Sequence, residues 1–103
     1  MTSEIKRSFE IISYAGEART HAFNALAEAK KGNIKEAEEL LKQANKSIAL
    51  AHKHQTDLLF EEFDGKKAEV DLLLVHAQDH LMTSMLAIEL LEELIVLYKN
   101  KEG

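Results

Sequence analysis

Three residues in the last third of the chain have the types and spacing to do chemistry together. His76, Asp79 and His80 stand at i, i+3 and i+4, which on a helix keeps their side chains within about one turn of each other. Gln78 lies on the adjoining flank. Two chemistries use such a group. Imidazoles at i and i+4 can close on one transition-metal ion, with Asp79 as a third ligand, as in helical zinc sites. Alternatively, one imidazole is a nucleophile that accepts a phosphoryl group while its neighbours orient it and hydrogen-bond the phosphoryl oxygens. The plain alternative to both is a solvated helix face.

These residues need a helix to hold them, and the surrounding pattern supplies one. Two breaks, Lys31-Gly32-Asn33 and Phe63-Asp64-Gly65-Lys66, divide the chain into three segments. In the first break the glycine suits a left-handed C-cap and the asparagine suits the start of the next helix. Ile5, Phe9, Ile12, Gly16, Phe23 and Leu26 recur at spacings of three, four or seven and predict an amphipathic helix from Ser3 to Lys31. Ile34, Ala37, Leu41, Ala44, Ile48, Ala51 and Leu58 do the same for Ile34 to Glu62.

The third helix, predicted from Val70 to Lys101, has more apolar residues than one stripe can hold. Leu74, Ala77, Leu81, Ile88, Leu91 and Ile95 form one stripe; Leu72, Leu86, Leu90 and Leu97 form a second, about half a turn away. A three-helix monomer needs only the first. The second would be a long apolar patch in water, so it predicts packing against copies of the same chain in a symmetric oligomer. His76, Asp79 and Thr83 belong to that second stripe. Asp79 facing an oligomer axis would gather like charges in a poorly solvated place, which calls for a bound cation or a raised carboxyl pKa. A hard ion such as Mg²⁺ suits several carboxylate oxygens, whereas Zn²⁺ would recruit the histidines too.

Other polar residues sort into plainer roles. His52, His54 and Gln55 form a patch in the second helix, on or near its core stripe, and are read as structural or solvent-facing; if Gln55 points inward it needs a hydrogen-bond partner, and the third helix can offer one. His21 reads as a surface residue. Leu81, Met82 and Met85 read as an apolar rim around the His76 group.

Composition excludes several classes. The 103 residues suit one domain spanning 1–103. With no proline, four glycines, 46% hydrophobic and 30% charged residues, the chain is expected to be all-α. The 18 acidic residues exceed the 13 Lys and Arg, leaving a net charge of −5 and no basic stripe for nucleic acid. No run reaches the ~20 apolar residues of a membrane span and the start, MTSEIKRSFE, lacks a secretory h-region, so a soluble, cytoplasmic protein without direct membrane insertion is expected. Zero cysteines remove disulfides, thiolate zinc sites and cysteine nucleophiles. Residues 25–44 read like the helical turn of a tetratricopeptide unit, but no second copy exists to stack on it.

At VHAQDHLMTSM, Val75 to Met85, the chain closely resembles the IIA component of the lactose/cellobiose (and diacetylchitobiose) branch of the bacterial sugar phosphotransferase system. The resemblance extends to ISYAGEAR at Ile12 to Arg19, the Gly32-Asn33 turn, AHKHQT at Ala51 to Thr56 and LLLVHAQDH at the start of the last helix, so it covers nearly the whole chain. It implies a homotrimer of antiparallel three-helix protomers, nine helices in all, with His76, the first histidine of HAQDH, phosphorylated on a ring nitrogen. Proteins of this kind take the phosphoryl group from the carrier HPr and pass it to a cysteine of the cognate enzyme IIB, which works with the membrane IIC permease in sugar uptake. The resemblance further implies that Asp79 meets its two symmetry mates around a metal ion, usually assigned as Mg²⁺, and that Gln78 and His80 support the site. The wording of the motif leans toward a β-linked disaccharide, although no residue of a IIA chain is expected to touch the sugar.

Overall fold

The computed structural model describes residues 3–63 and 71–102, and in them three helices run α1 (Ser3–Lys30), α2 (Ile34–Phe63) and α3 (Leu72–Glu102). The expected boundaries hold to within two residues at every end; the break residues Asp64, Gly65 and Lys66, and the expected first residue of α3, Val70, lie outside the described residues.

The first turn forms for the reasons its residues suggest. Gly32 takes a positive φ of 86°, a conformation that costs a glycine little. The Asn33 amide reaches back to the carbonyl of Glu28 at 3.0 Å and the Gly32 amide to that of Ala29 at 3.0 Å, so two carbonyls at the end of α1 find partners. Asn33 begins α2 through its carbonyl, which accepts from Ala37 N at 3.0 Å. Its side chain does something else: the amide donates to the Glu28 carboxylate at 2.9 Å. That bond, with Lys31 adding to it against slight desolvation, holds the Glu28 carboxyl below its ordinary value. At the other end Asp71 caps α3, its carboxylate accepting from Leu74 N at 2.8 Å.

Three layers of buried side chains fill the bundle. The first contains Ile11, Ala15, Ala51, Leu58, Ala77 and Leu81; the second Ala18, Ala22, Ala44, Ile88 and Leu91; the third Ala25, Ala29, Ala37 and Ile95. Residue numbers rise through the layers in α1 and α3 and fall in α2, so the topology is up-down-up, with α2 antiparallel to both neighbours. The result is an elongated molecule of 53 × 22 × 18 Å.

α2 and α3 bury the stripes expected of them, but α1 does not. Its core face is Ile11, Ala15, Ala18, Ala22, Ala25 and Ala29, while Phe9 and Phe23 of the expected stripe are 52% and 51% exposed. The helix is turned by about one residue, roughly 100°, from the register that its largest side chains suggest. The reason is packing distance. Ala37, Ala44 and Ala51 of α2 face the alanines of α1, and small residues on both sides let the two helices approach closely. The phenylalanines are left on the flank. α3 supplies the bulk instead, with Leu81, Ile88, Leu91 and Ile95.

The second stripe of α3 lies open in the single chain: Leu72 is 84% exposed, and Leu86, Leu90 and Leu97 are each more than half exposed. No helix of the described residues is long and apolar enough to cross a membrane.

Candidate functional site

The exposed arc of α3 carries the candidate site. Ala77 and Leu81 are fully buried and pin the first turns of α3 against Ile11, Ala15 and Ala51, which fixes the direction in which the intervening residues point. His76 and Asp79 consequently face outward, and His80 is half-buried beside them. The imidazoles of His76 and His80 meet edge to face, with ring centroids 4.5 Å apart and an interplanar angle of 86°. Their Nε2 atoms are 3.2 Å apart. A hydrogen bond between two imidazole nitrogens needs one proton and one lone pair, so one ring is protonated at Nε2 and the other is not. Among the described residues, no carboxylate lies within ion-pairing distance of either ring.

Asp79 does not join the histidines. Among the described residues, no three His, Asp or Glu side chains are gathered closely enough to hold a metal ion. The arrangement gives no support to the expectation that His76, Asp79 and His80 of one protomer form such a site. On a helix, i+4 lies about 40° to one side of i, whereas i+3 lies about 60° to the other. His80 closes on His76 and Asp79 diverges from both. The Asp79 backbone carbonyl accepts from the Thr83 hydroxyl at 2.7 Å, a bond that anchors the threonine and leaves the carboxylate pointing outward.

Gln78 is also held away from His76. Its side-chain oxygen accepts a hydrogen bond from the Gln55 amide of α2. Residues two apart on a helix face nearly opposite directions, so Gln78 cannot contact the His76 of its own chain while it bonds to α2. The inward-pointing Gln55 has found the partner on the third helix that its burial required.

The expected apolar rim is also revised. Leu81 is fully buried and Met85 packs against the core; Met82 alone of the three is an exposed rim residue, 57% accessible. Leu81 belongs to the first stripe, and Met85 lies one turn further along the same buried side. The apolar surface near His76 is built instead by Leu72 and Val75, neither of which stood out in the sequence as a rim residue. A shallow recess of about 510 Å³ opens there, lined by Leu72, Leu73 and His76.

A second histidine cluster lies at the same end of the bundle, between α1 and α2. His54 Nε2 is 2.6 Å from Glu10 Oε2, and the ring stacks on Tyr14 with centroids 5.9 Å apart and planes 9° from parallel. Its other nitrogen, Nδ1, is buried without a hydrogen-bond partner. Arg7 spans Asp57 and Glu61, at 3.1 Å each, one turn away. Glu10, Tyr14 and Arg7 were not recognisable as His54's surroundings, because partners contributed by another helix leave no spacing signal. His52 is exposed, and His21 is half-buried with Glu17 at 3.6 Å.

Comparison with known proteins gives this geometry a context. The family model described as "PTS system, Lactose/Cellobiose specific IIA subunit" matches residues 6–99. The chain is 46% identical over 92 residues to the lactose-specific EIIA component of Staphylococcus epidermidis, covering 89% of this chain and 88% of that one. Its fold superposes on the crystal structure of the cellobiose-specific enzyme IIA from Bacillus anthracis with a TM-score of 0.95 at 43% identity, covering 99% of this chain and 94% of the other. The IIA(chitobiose) chain solved in complex with HPr from the Escherichia coli diacetylchitobiose branch matches over the full length of both chains, with a TM-score of 0.85 and 38% identity.

Proposed function

The chain belongs to the lactose/cellobiose-specific IIA family of the sugar phosphotransferase system, and from that membership we propose that residues 1–103 form a single phosphocarrier domain whose acceptor is His76. The observation that carries this reading is the His76–His80 pair. It places an exposed imidazole against a second imidazole, with their Nε2 atoms 3.2 Å apart. A carboxylate in that position would favour a protonated ring, whereas a second imidazole can give up its hydrogen bond as the phosphoryl group arrives.

In this mechanism His76 is neutral, carries its proton on Nδ1, and accepts at Nε2 a hydrogen bond from His80 Nε2–H. Phospho-HPr docks on the surface formed by Leu72, Val75 and Met82. The N–P bond of the donor histidine breaks as a new N–P bond forms at His76 Nε2. For that bond to form, His80 Nε2–H first leaves the His76 Nε2 lone pair and turns to a phosphoryl oxygen of the incoming group. The reverse geometry then delivers the group to a cysteine thiolate of the cognate enzyme IIB, with N–P breaking and S–P forming. IIB passes it on to a β-linked disaccharide of the lactose, cellobiose or chitobiose class during uptake through the membrane IIC permease. Transfer between two such carriers needs alignment and exclusion of water more than acid–base machinery. A shallow apolar recess suits that task. The setting is the cytoplasm.

The open second stripe of α3 supports assembly as a homotrimer, with Leu86, Leu90 and Leu97 covered by neighbouring copies. Asp79 lies on that arc, and three such carboxylates would offer a hard oxygen donor set that fits Mg²⁺ or a similar divalent cation. When bound, the ion would offset the repulsion of the three charges. In this reading Asp79 serves the assembly and His76 serves transfer.

Incubation with phosphoenolpyruvate, enzyme I and HPr should label the protein on His76, with the label lost in His76→Ala. Labelling of that variant at the wild-type level would sink the proposal. Sedimentation at micromolar concentration should give three times the monomer mass, and a stable monomer would remove the trimer from it.

A further inference from the structure

From Leu40 to Thr56, α2 carries no Asp or Glu, in a chain whose 18 acidic residues outnumber its 13 Lys and Arg. Lys42, Lys46 and Lys53 lie in that stretch, and all three are exposed. Among the described residues, no carboxylate stands within ion-pairing distance of any of them. A patch of unneutralised positive charge therefore sits on an otherwise acidic protein.

The patch borders a recess. A hollow of about 640 Å³ opens between α1 and α2, with Lys46, Leu50 and Lys53 on the α2 side and Glu17 and His21 on the α1 side. The open arc of α3 faces away from both helices, so the assembly proposed above leaves the recess uncovered. Lys46 and Lys53 are seven residues apart, which sets them on one line of the helix, about 10.5 Å from each other along its axis. Leu50, 43% exposed, lies between them. Glu17 is the one carboxylate among the described lining residues, and it stands on the opposite wall, 3.6 Å from the His21 ring.

The order along α2 is cation, apolar surface, cation. One small anion cannot bridge two ammonium groups at that separation. An anionic bilayer would meet the lysines but leave the concave floor unfilled, and the net charge of −5 would oppose its approach. A helix with carboxylates at i and i+7 and an apolar residue between them matches both the spacing of the lysines and the floor.

We propose that the α1–α2 recess docks an acidic amphipathic helix of a partner protein, its two carboxylates paired with Lys46 and Lys53 and its apolar side chain seated on Leu50. Exposed ion pairs each contribute little, so the contact is weak, transient and sensitive to salt. It involves neither His76 nor α3, and failure of the carrier reading leaves it intact.

The probe that tests this is an alanine-rich helical peptide of about 20 residues, long enough to hold its helix in water, with Glu at i and i+7 and Leu at i+4. A control peptide has Lys in place of both glutamates. Titrated into the full chain, the acidic peptide should bind saturably and shift the amide resonances of Ser47 and Leu50, while the Lys peptide should not. Lys46→Glu combined with Lys53→Glu should weaken the acidic peptide about tenfold and gain binding of the Lys peptide. The peptide exchange reads the same charges without altering the protein, so the result does not rest on how the variant folds. Equal binding of the two peptides, or shifts confined to α3, overturns the proposal. Sedimentation with phosphatidylglycerol vesicles that depends on Lys46 and Lys53, without binding of the acidic peptide, assigns the patch to a lipid surface and overturns it as well.

Discussion

Two histidine clusters occupy the same end of the bundle and are built in opposite ways. His54 has a carboxylate at 2.6 Å, a tyrosine stacked on its face and a second nitrogen sealed from water. His76 is exposed and touches another imidazole. Everything around His54 restricts it: the ring ties α1 to α2 and has no route to a substrate. His76 is tied to its own helix alone, and its side chain is exposed. Burial and a carboxylate partner make a histidine structural; exposure and an imidazole partner suit one that acts as a nucleophile. Both clusters hang from one layer, that of Ile11, Ala15, Ala51, Leu58, Ala77 and Leu81.

The largest effect should come from exchanging the two roles. His76→Ala removes the proposed acceptor and should abolish labelling by phospho-HPr, while the protein stays folded by circular dichroism, since an exposed side chain contributes little to stability. His54→Ala should be labelled within about twofold of wild type. Loss of labelling in both variants would break the comparison, because His54 would then belong to the transfer chemistry.

The shared layer is the next target. Leu81 is the largest fully buried side chain of α3, and Leu81→Ala should cost about 3 kcal/mol in urea denaturation, through lost burial and the cavity left behind. Met82→Ala, its exposed neighbour, should fall within about 0.5 kcal/mol of wild type. Equal costs at the two positions would mean that Met82 is buried in solution, which would itself point to the assembly.

Why one cluster was legible in the sequence and the other was not follows from where their partners come from. His76, Asp79 and His80 are neighbours on one helix, so spacing alone brings them together, and the doubled stripe of α3 told which way they face. Spacing also contains the divergence of i+3 from i+4, but which neighbour closes on His76 was settled by the fold, where His80 does and Asp79 does not. His54 draws its partners from α1, and no interval in the chain encodes Glu10 or Tyr14 as its neighbours. The same limit explains the rotation of α1. Apolar periodicity favours the large Ile5, Phe9 and Phe23, but the helix is set by what α2 offers opposite, and α2 offers alanines. Gln55 was half legible, since its need for a partner could be stated while Gln78 as that partner awaited the fold.

A smaller effect should separate tie from nucleophile by stability. Glu10 and His54 are both less than a third exposed, so His54→Ala should cost about 1 to 2 kcal/mol through loss of the stack and the charged hydrogen bond. Glu10→Gln, which keeps the shape, should cost about 1 kcal/mol. In a double-mutant cycle the two should be less than additive, because either change alone breaks the same contact. Full additivity would mean that the 2.6 Å approach contributes nothing and that His54 acts by packing alone.

The smallest effect concerns Gly16, two residues beyond Tyr14 on the helix that supplies both partners of His54. A Cβ at Gly16 would meet nothing within 4 Å, so nothing within the protomer requires a glycine there. Glycine in a helix interior costs about 0.5 to 1 kcal/mol relative to alanine, through the greater freedom it loses on folding. Gly16→Ala should therefore raise stability by about that amount, read as a rise of a few degrees in Tm. A stiffer α1 should tighten the His54 tie and leave labelling of His76 unchanged. A fall in stability would contradict the open space around the residue. A rise in stability with slower labelling would mean that the two clusters are coupled through α1, against the independence argued for them above.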